Sequence, residues 1–425
     1  MAERTLLPDD LVRQLIAVGQ VDVLVGLPTY NNAATVARVV KAVHVGFAKH
    51  FPRARTLLLT SDGGSEDGTS DVVRSAALDE SETLIVRHAL RTIHRVTTTY
   101  HGIPGKRSAV RTLFTAAELL QAKAVAILDP DLTSITPDWV GQLLLPIYRE
   151  QYDLAVPIYA RHRFEAPLVT QLVRPLFRGA YGYRVREPVG GEFACSGRFL
   201  SYALKQSCWD NDEARNGIEL WLTASALAGG LQVCQTHLGT RATAGGKVRP
   251  TLPDLFQQVL GPLFASLEAN QAIWTSRTQA EEVATFGQPA NPEGEEPMIE
   301  IGPMADACCN GVRDLGGILE TILSADTLGA IRAASTAANP GVDFPDALWA
   351  ATVYEFAAAY HRTTMNREHL VQALVPLYLG RTASFVESHA THDRMAVEQQ
   401  LEALGLQYEQ SKPYLVERWT SEGGR

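Results

Sequence analysis

Short apolar runs alternate with apolar residues at helical spacing through the first third of the chain. The runs are rich in valine, leucine and isoleucine, as expected of strands buried on both faces of a parallel sheet. Between them, apolar positions recur every three or four residues, as from Val36 through Val39 and Val40 to Val43. The predicted strands lie at 21–27, 57–59, 83–86 and 124–128, and the predicted helices lie at 11–18, from 33 onward, from 69 onward and at 108–122. This order predicts an α/β fold with helices on both faces of the sheet.

The later part of the chain changes character twice. Between 152 and 246 the pattern is mixed, with predicted strands at 154–158 and 231–236 and a predicted helix at 218–228. From about residue 253 the apolar positions follow helical spacing instead. A mixed sheet followed by a helical region is therefore expected.

The helical region is interrupted by one acidic, proline-bearing segment near 285–303, which predicts an exposed loop. We expect a sheet domain at 1–252, made of halves 20–131 and 132–252, and a helical C-terminal region at 253–425.

Four polar segments lie at the ends of predicted strands or at the start of the helix that follows. They lie at 28–32, 61–68, 105–107 and 129–131. In open α/β sheets, ligands bind at the carboxyl ends of the strands, where loops converge and helix N-termini favour anionic groups. We therefore expect these four segments to meet at one ligand site.

The last of these segments is an aspartate pair. The run AILDPDLTSI ends a buried strand with Asp129 and Asp131, separated by Pro130. A turn here brings both carboxylates toward one ligand, and hard oxygen ligands suit Mg²⁺ or Mn²⁺ with phosphate oxygens and waters completing the shell. A plain turn or helix cap is the alternative interpretation of the tripeptide.

Composition and charge narrow the class of ligand. The 425 residues exceed a typical single domain, and 46% hydrophobic with 20% charged residues is ordinary for a globular protein. A formal net charge of -9 without a lysine- or arginine-dense segment argues against nucleic acid. The five cysteines lack disulfide or zinc spacing, and no apolar run is long enough to span a bilayer, so we expect a cytoplasmic protein.

The polar segments also resemble a known family. PTYNNAATV, SDGGSEDGT, GKR and DPD occur in the order seen in GT-A glycosyltransferases of the family 2 type. GYRVREPVGGEFACSGRFL, GIELWLTASAL and HLGTRATAGGK are similar to segments of retaining members that make glucosyl-3-phosphoglycerate, mannosylglycerate and related glycosides. The resemblance covers about 20–265 well, and LYLGRTASFV and KPYLVERW extend it into the tail. It implies a GT-A nucleotide-sugar-binding fold, Rossmann-like with a mixed sheet and a helical C-terminal extension.

The resemblance also implies roles at the donor site. Lys106 is expected beside the diphosphate, where an ammonium acts as a point charge, and Asp131 is expected to bind the metal. The expected nucleotide-sugar contacts are Pro28, Thr29, Tyr30, Asn32, Asp62, Gly63, Lys106, Asp129 and Pro130. Taken singly, each residue has an ordinary alternative as a turn residue, a cap or a solvated charge.

The acceptor side rests on arginines among glycines. Guanidinium groups match carboxylates and phosphates bidentately, which suits a glycerate-like anion. The resemblance implies acceptor contacts from Arg184, Arg186, Gly190, Gly191, Glu192, Glu219 and Arg241. As an alternative, the arginines are solvated at the surface or form ion pairs with Glu187 and Glu192. The alternative for Glu219 is a salt bridge on a helix face. Asp129, Glu192 and Lys106 are the expected catalytic residues, although Glu192 can equally orient an arginine.

Two positions depart from the family. Asn32 is followed by Ala33 and Ala34, where members usually carry acids. Thr243 stands where related enzymes place a metal-binding histidine, and His237 is the nearest histidine and a candidate substitute. Otherwise Asp131, the diphosphate and water hold the ion.

The combined interpretation is a metal-dependent retaining hexosyltransferase, using Mg²⁺ or Mn²⁺. It would move glucose or mannose from a UDP- or GDP-sugar to glycerate or 3-phosphoglycerate, as a homodimer without a nucleic-acid partner. A non-catalytic nucleotide-sugar-binding protein and a transferase with another small or polysaccharide acceptor remain open. A sugar-phosphate nucleotidyltransferase is disfavoured because no G-x-G-T-R loop follows the first strand.

Overall fold

The computed structural model describes residues 7, 9–76, 83–87, 105–206, 209, 217–244, 251–336, 342–362 and 365–421. The chain divides into two compact units. The first unit comprises Met1–Ala160, Val189–Pro250 and Val283–Asn291. The second unit comprises Arg161–Pro188, Thr251–Glu282 and Pro292–Arg425.

Strands and helices follow the predicted order closely. The strands are β1 (Val23–Thr29), β2 (Thr56–Asp62), β3 (Thr83–Arg87), β4 (Ala124–Ile127), β5 (Leu154–Tyr159), β6 (Phe193–Ser196), β7 (Val233–Gly239) and β8 (Ala284–Phe286). The helices are α1 (Asp9–Val18), α2 (Val36–His50), α3 (Thr69–Ala76), α4 (Lys106–Leu119), α5 (Pro137–Tyr148), α6 (Arg174–Tyr181), α7 (Gly197–Leu204), α8 (Ile218–Ala228), α9 (Leu252–Ala269), α10 (Gln271–Trp274), α11 (Ile301–Asp314), α12 (Gly316–Ile322), α13 (Ala325–Thr336), α14 (Asp346–Arg362), α15 (Arg367–Ala373), α16 (Val375–Ser388), α17 (Arg394–Gln410) and α18 (Lys412–Thr420). A π-helical turn, Val169–Val173, precedes α6.

The first unit is built on one mixed sheet. Its strand order is β3-β2-β1-β4-β6-β5-β7-β8. β6 runs antiparallel to β4 and β5, and the other neighbouring pairs are parallel. The predicted α/β class with a mixed sheet is confirmed, as is the helical C-terminal region.

The core of the first unit explains this agreement. Every residue of β1 is buried, because parallel β2 and β4 flank it on both sides. The valines predicted on one face of α2 are all fully buried within the same apolar cluster, and they include Val36, Val39, Val40 and Val43. Burying these branched side chains stabilises the fold by roughly 1.5–3 kcal/mol each.

The second unit is a helical assembly with an aromatic interior. Tyr354 of α14 packs edge-on against Tyr408 of α17, with ring centroids 5.2 Å apart. Trp274 packs similarly against Trp419 of α18 at 5.2 Å. Tyr354 donates to the Tyr408 carbonyl at 2.6 Å, and the Trp274 indole donates to the Leu267 carbonyl at 2.8 Å. The Tyr408 hydroxyl and the Trp419 indole are buried without a partner among the described residues.

The unit boundaries depart from the expected division at residue 252. Segment 161–188 belongs to the helical second unit, because α6 packs there against α17. Segment 283–291 belongs to the first unit, because β8 extends the sheet by pairing with β7. β8 and the start of α11 therefore take up the two ends of the predicted 285–303 loop, and the backbone between them is irregular and largely exposed.

None of the helices in the described part of the chain is both long enough and apolar enough to cross a membrane.

Candidate functional site

The loops after β1 and β2 are tied to each other at the carboxyl ends of these strands. The backbone N–H of Asn31 donates to Ser65 Oγ at 2.8 Å, and that of Asn32 donates to Thr69 Oγ1 at 2.8 Å. Asp67 accepts from the Ala33 N–H at 3.0 Å. The two predicted polar segments therefore form one connected rim rather than separate turns.

Asp62 organises the second loop from inside. Its carboxylate is buried and accepts from the backbone N–H groups of Gly64 and Ser65 at 3.0 and 2.9 Å. It also accepts from the hydroxyls of Thr29 and Ser65 at 3.0 and 2.6 Å. Asp62 thus fixes the rim at the position of Gly63, whose N–H donates to the Thr29 carbonyl at 2.8 Å.

The aspartate tip after β4 is anchored to the first loop. Asp131 Oδ1 accepts from Asn32 Nδ2 at 2.8 Å and from Thr35 Oγ1 at 2.7 Å. The Asp131 N–H donates to Asp129 Oδ1 at 2.9 Å, which makes the turn across buried Pro130. The Asp131 carboxylate is held by the neutral donors Asn32 and Thr35, and Asp129 Oδ1 is held by the Asp131 N–H, so the tip is preorganised.

Arg241 joins this tip to a buried glutamate. Its Nη2 lies 2.9 Å from Asp129 Oδ2, and its Nε lies 3.1 Å from Glu192 Oε2. Glu192 is fully buried and also accepts from the Tyr159 hydroxyl. Burial acts to lower the pKa of Arg241, but the surrounding anionic groups raise it well above its usual value. Arg241 therefore stays charged between two carboxylates.

Glycine at 191 is needed for this approach. A Cβ at Gly191 would lie 3.0 Å from Arg241 Nη2, closer than ordinary contacts allow. Gly191, directly ahead of Glu192, thus leaves room for the guanidinium.

Lys106 lies at the first position of α4. Gly105 precedes it with φ 74°, a left-handed conformation that favours glycine. The ammonium forms a largely, but not fully, buried ion pair with Glu219 in the first turn of α8. Burial acts to lower the pKa of Lys106, and the charges of Glu219 and Asp129 more than offset it, so the pKa is raised. Lys106 is a permanent cation at this site.

These residues make up what we call the strand-end cluster: Lys106, Asp129, Asp131, Glu192, Glu219 and Arg241. Four carboxylates and two cations give the cluster a formal charge of -2. Buried or half-buried negative charge in excess is costly unless something neutralises it. A cation, or a cation carrying an anionic ligand, satisfies this requirement.

The donor set suits a cation of the magnesium type. Within the described residues, both donors to the Asp131 carboxylate use Oδ1, and no hydrogen bond is made to Oδ2. Mg²⁺ commonly binds through one or two carboxylates while phosphate oxygens and waters fill the other positions. No group of three or more His, Cys, Asp or Glu side chains in the described chain is arranged to hold a metal alone.

Residue 243 adjoins the tip through the backbone. Thr243 forms an isolated antiparallel bridge with Leu132, and the Ala244 N–H donates to the Asp131 carbonyl at 3.0 Å. His237 lies six residues earlier, within β7, where it pairs with Ile158 of β5. Its predicted metal role stays a prediction.

Two predicted acceptor residues belong to the second unit. Arg184 forms an ion pair with Glu282, and Arg186 Nη2 lies 2.7 Å from Glu398 Oε1. The alternative partners considered from the sequence are engaged elsewhere, since Glu187 pairs with Arg161 and Glu192 with Arg241.

Sequence reasoning missed Thr35 and Tyr159. Thr35 directly precedes α2, a place where threonine ordinarily caps a helix, but its hydroxyl is directed to Asp131 instead. Tyr159 ends β5, and strand-end position was the one available signal. Ser65 and Asp67 were present in the quoted SDGGSEDGT motif without an assigned role.

No family model matches the chain, and no curated protein matches it. Solved structures do match.

These include glucosyl-3-phosphoglycerate synthase from Mycobacterium tuberculosis in complex with phosphoglyceric acid, at 23% identity and TM-score 0.43, covering 62% of this chain and 85% of that one. The same enzyme with Mn²⁺, UDP and glucosyl-3-phosphoglycerate matches at 24% identity and TM-score 0.42, covering 61% and 85%. The same enzyme with Mn²⁺, UDP-glucose and phosphoglyceric acid matches at 23% identity and TM-score 0.42, covering 63% of this chain and 86% of that one. This is the group that the sequence motifs resemble.

Proposed function

We propose that the first unit is a GT-A glycosyltransferase domain that transfers a hexose from a nucleoside-diphosphate sugar, with a divalent cation, to a small anionic acceptor. The observation that carries the proposal is the strand-end cluster, in which a preorganised aspartate tip and an excess of negative charge lie beside two permanent cations. A cation bound to a diphosphate complements this arrangement of charge.

The donor nucleotide is assigned to the rim formed by the first two loops. Pro28, Thr29, Tyr30, Asn32, Asp62 and Gly63 are the proposed contacts. Of these, Tyr30 is partly exposed, whereas Thr29, Asn32 and Asp62 are buried and shape the rim through the hydrogen bonds described above. We therefore expect Tyr30 and the exposed backbone to touch the nucleotide, and the buried residues to position them.

Asp131 is the residue that would hold the cation, with Asp129 beside it, and Mg²⁺ or Mn²⁺ would neutralise charge on the departing diphosphate when bound. His237 stays a candidate for an additional ligand. Asn32 and Thr35 fix the orientation of the Asp131 carboxylate by donating hydrogen bonds to its Oδ1 atom. This fixed orientation avoids reorganisation when the ligand binds.

Lys106 and Arg241 supply fixed positive charge. Both side chains already form ion pairs with carboxylates inside the site. An incoming diphosphate therefore shares cations that are already largely removed from water, and binding needs little further desolvation of them. Lys106 is proposed to stabilise the leaving diphosphate. Asp129 and Pro130 are proposed to face the sugar, with Glu192 supporting the sugar or the acceptor hydroxyl.

The acceptor is proposed to be glycerate or 3-phosphoglycerate, with the anomeric configuration retained. This finer assignment rests on the motif resemblance and on the residues Gly190, Gly191, Glu192, Glu219 and Arg241, with Arg184 and Arg186 as further candidates. Arg241 and Glu219 have internal partners, so acceptor binding there requires a shared or exchanged ion pair. A homodimer and a cytoplasmic location remain expectations from the resemblance.

Non-catalytic binding of a nucleotide sugar is the second candidate. Thr243 at the histidine position, together with the missing three-ligand group in the described chain, favours it. In that case the cluster binds the donor without turnover.

The deciding experiment is a screen of UDP-glucose and GDP-mannose against glycerate and 3-phosphoglycerate. Nucleotide release is read with Mn²⁺, with Mg²⁺ and with a chelator. We expect metal-dependent release with one donor and one acceptor. Calorimetric binding of the donor without release for any acceptor supports the second candidate, and absence of metal-dependent donor binding refutes both.

Asp131→Ala is the matched variant. We expect at least about a hundredfold loss of metal-dependent turnover, because charge stabilisation at the diphosphate is lost. Asp71→Ala is the control, because Asp71 is an exposed acid of α3 in the same unit and outside the cluster. Equal activity of the two variants contradicts the assignment of the tip.

A further inference from the structure

The second unit contains a cavity of about 550 Å³ between α13, α14, α17 and α18. Cavities of roughly 300–1,000 Å³ accommodate small molecules. All the residues that line the cavity belong to the second unit. The proposed transfer reaction does not use the cavity.

A buried glutamate builds one wall of the cavity. Glu355 of α14 is fully buried, and its Oε1 accepts from Ser324 Oγ at 2.9 Å, from Thr327 Oγ1 at 2.7 Å and from the Tyr414 hydroxyl. Its Oε2 accepts from the Ser324 N–H at 2.5 Å. Ser324, Thr327 and Tyr414 all line the cavity, so one carboxylate fixes three hydroxyl groups of the wall.

This arrangement decides which hydrogen bonds the wall can still make. The hydroxyl proton of Tyr414 is directed to Glu355, which leaves its oxygen as an acceptor for a ligand, whereas the buried Thr327 Oγ1 already lies 2.9 Å from Ser324 Oγ. A ligand that reaches the Tyr414 oxygen therefore donates a hydrogen bond to it.

The rest of the lining carries charges of both signs. Asp326, Glu417 and Arg418 line the cavity, and no ion pair within the described residues includes any of the three. Arg418 Nε is buried and finds no acceptor there. Because Asp326 and Glu417 are exposed, water already solvates their charge and no bound cation is required. A charged ligand of either sign meets a like charge in this lining, whereas a neutral ligand does not. Gln410 and Ser411 add groups that both donate and accept.

We propose that this cavity binds a neutral carbohydrate of one or two sugar rings. Sugar hydroxyls donate to Asp326, Glu417 and the Tyr414 oxygen, and they accept from Arg418 and Gln410. Each hydroxyl acts as donor and acceptor at once, which matches the mixed lining. The site does not depend on the proposed transfer reaction.

The test is calorimetry and saturation-transfer NMR on the full chain with glucose, mannose, maltose and trehalose at millimolar concentrations. Ala351 of α14 lines the cavity, and Ala351→Phe fills it. We expect saturable binding of at least one sugar, lost in Ala351→Phe. Ala403→Phe, at an exposed alanine of α17 outside the lining, is the control and is expected to bind normally.

Glu417→Gln keeps the size of the side chain and removes one charged acceptor, so sugar affinity is expected to fall about tenfold. Glu387→Gln, at an exposed glutamate of α16, is its control. Inorganic phosphate and putrescine are the competing probes. The proposal is overturned if no sugar binds, if sugar binding survives Ala351→Phe, or if phosphate or putrescine alone shows binding sensitive to that variant.

Discussion

The two units each contain a cluster of arginine or lysine with acidic residues, and the clusters differ in charge balance. The strand-end cluster has four carboxylates for two cations. The second unit's arginine–glutamate cluster has three of each sign: Arg174, Arg178, Arg186, Glu398, Glu402 and Glu409. A balanced cluster can satisfy its own charges, whereas an excess of one sign requires an outside ion.

The clusters also differ in how the chain builds them. In the second unit, Arg174 and Arg178 are four residues apart on α6, and Glu398 and Glu402 are four residues apart on α17. Two packed helix faces therefore suffice. The residues of the strand-end cluster come from five segments that are distant in sequence. Each segment contributes one or two residues, which lie either in a loop next to a strand or in the first turn of a helix. This difference supports our proposal that the balanced cluster stabilises the fold and that the unbalanced one binds a ligand.

The largest expected effect breaks the strand-end cluster without disturbing its shape. Asp131→Asn keeps an oxygen for the donors Asn32 and Thr35 but removes one negative charge. We expect turnover to fall at least about a hundredfold while the free energy of unfolding changes by less than about 0.5 kcal/mol. Urea unfolding and the nucleotide-release assay measure the two quantities. Large destabilisation with activity retained by the folded fraction means that the cluster is structural.

The converse change tests the balanced cluster. Arg178 is almost fully buried and pairs with Glu402 and Glu409. Burial acts to raise the pKa of Glu402, and Arg174 and Arg178 more than offset it, so the pKa is lowered.

Arg178→Met leaves these carboxylates short of a cation. We expect a loss of about 2 to 3 kcal/mol in the free energy of unfolding, less than for a fully enclosed pair because Glu402 is half exposed. Arg313→Met is the control, because Arg313 is largely exposed and is expected to change stability by less than about 0.5 kcal/mol. Equal effects of the two variants contradict the stabilising role.

A smaller effect sharpens the comparison through pH. Lys412 of α18 is buried and donates to the Ala180 carbonyl at 2.6 Å, and burial, aided by the charge of Arg277, lowers its pKa to about 8. The ordinary lysine pKa near ~10.4 applies to the unfolded chain. Between these values the unfolded state binds more protons, so the free energy of unfolding rises with pH, and below about pH 8 this gain is absent.

Lys412→Met isolates this contribution. Subtracting the stability of the variant from that of the wild-type chain removes the titration of other groups. We expect the difference to grow in favour of the wild type by about 1 to 2 kcal/mol from pH 7.5 to pH 9.5, measured by urea unfolding. A difference that stays constant shows that Lys412 keeps its ordinary pKa. Lys106, with its raised pKa, is expected to give no such change in this range.

Much of the fold was predictable because its signals are local. The run at 21–27 and the valines of 36–43 each follow a period set by one element, and both became buried as predicted. The strand-end position of Asp62, Asp129 and Asp131 followed from the same periods. Segment 161–188 escaped prediction because its membership of the second unit depends on packing against α17, more than 200 residues later.

The sequence predicted that these residues lie near the same strand ends, but it did not predict which charged side chains pair with each other. Lys106 and Glu219 were assigned separately to donor and acceptor, yet they form one ion pair. Arg241 was assigned to an acceptor anion, and the structure gives it two protein carboxylates. Such pairings join residues from 49 to 112 or more positions apart, and sequence spacing carries no information on which distant charges meet.

The sequence by itself determined the order of strands and helices, the strand ends that carry polar residues, and the chemical character of the aspartate tip, because apolar periodicity and residue chemistry act over a few positions. The tertiary structure decided which charges pair, that Thr35 and Asn32 orient Asp131, and that Glu355 organises a cavity wall. These outcomes depend on distances between segments remote in the chain, which only the packed fold sets.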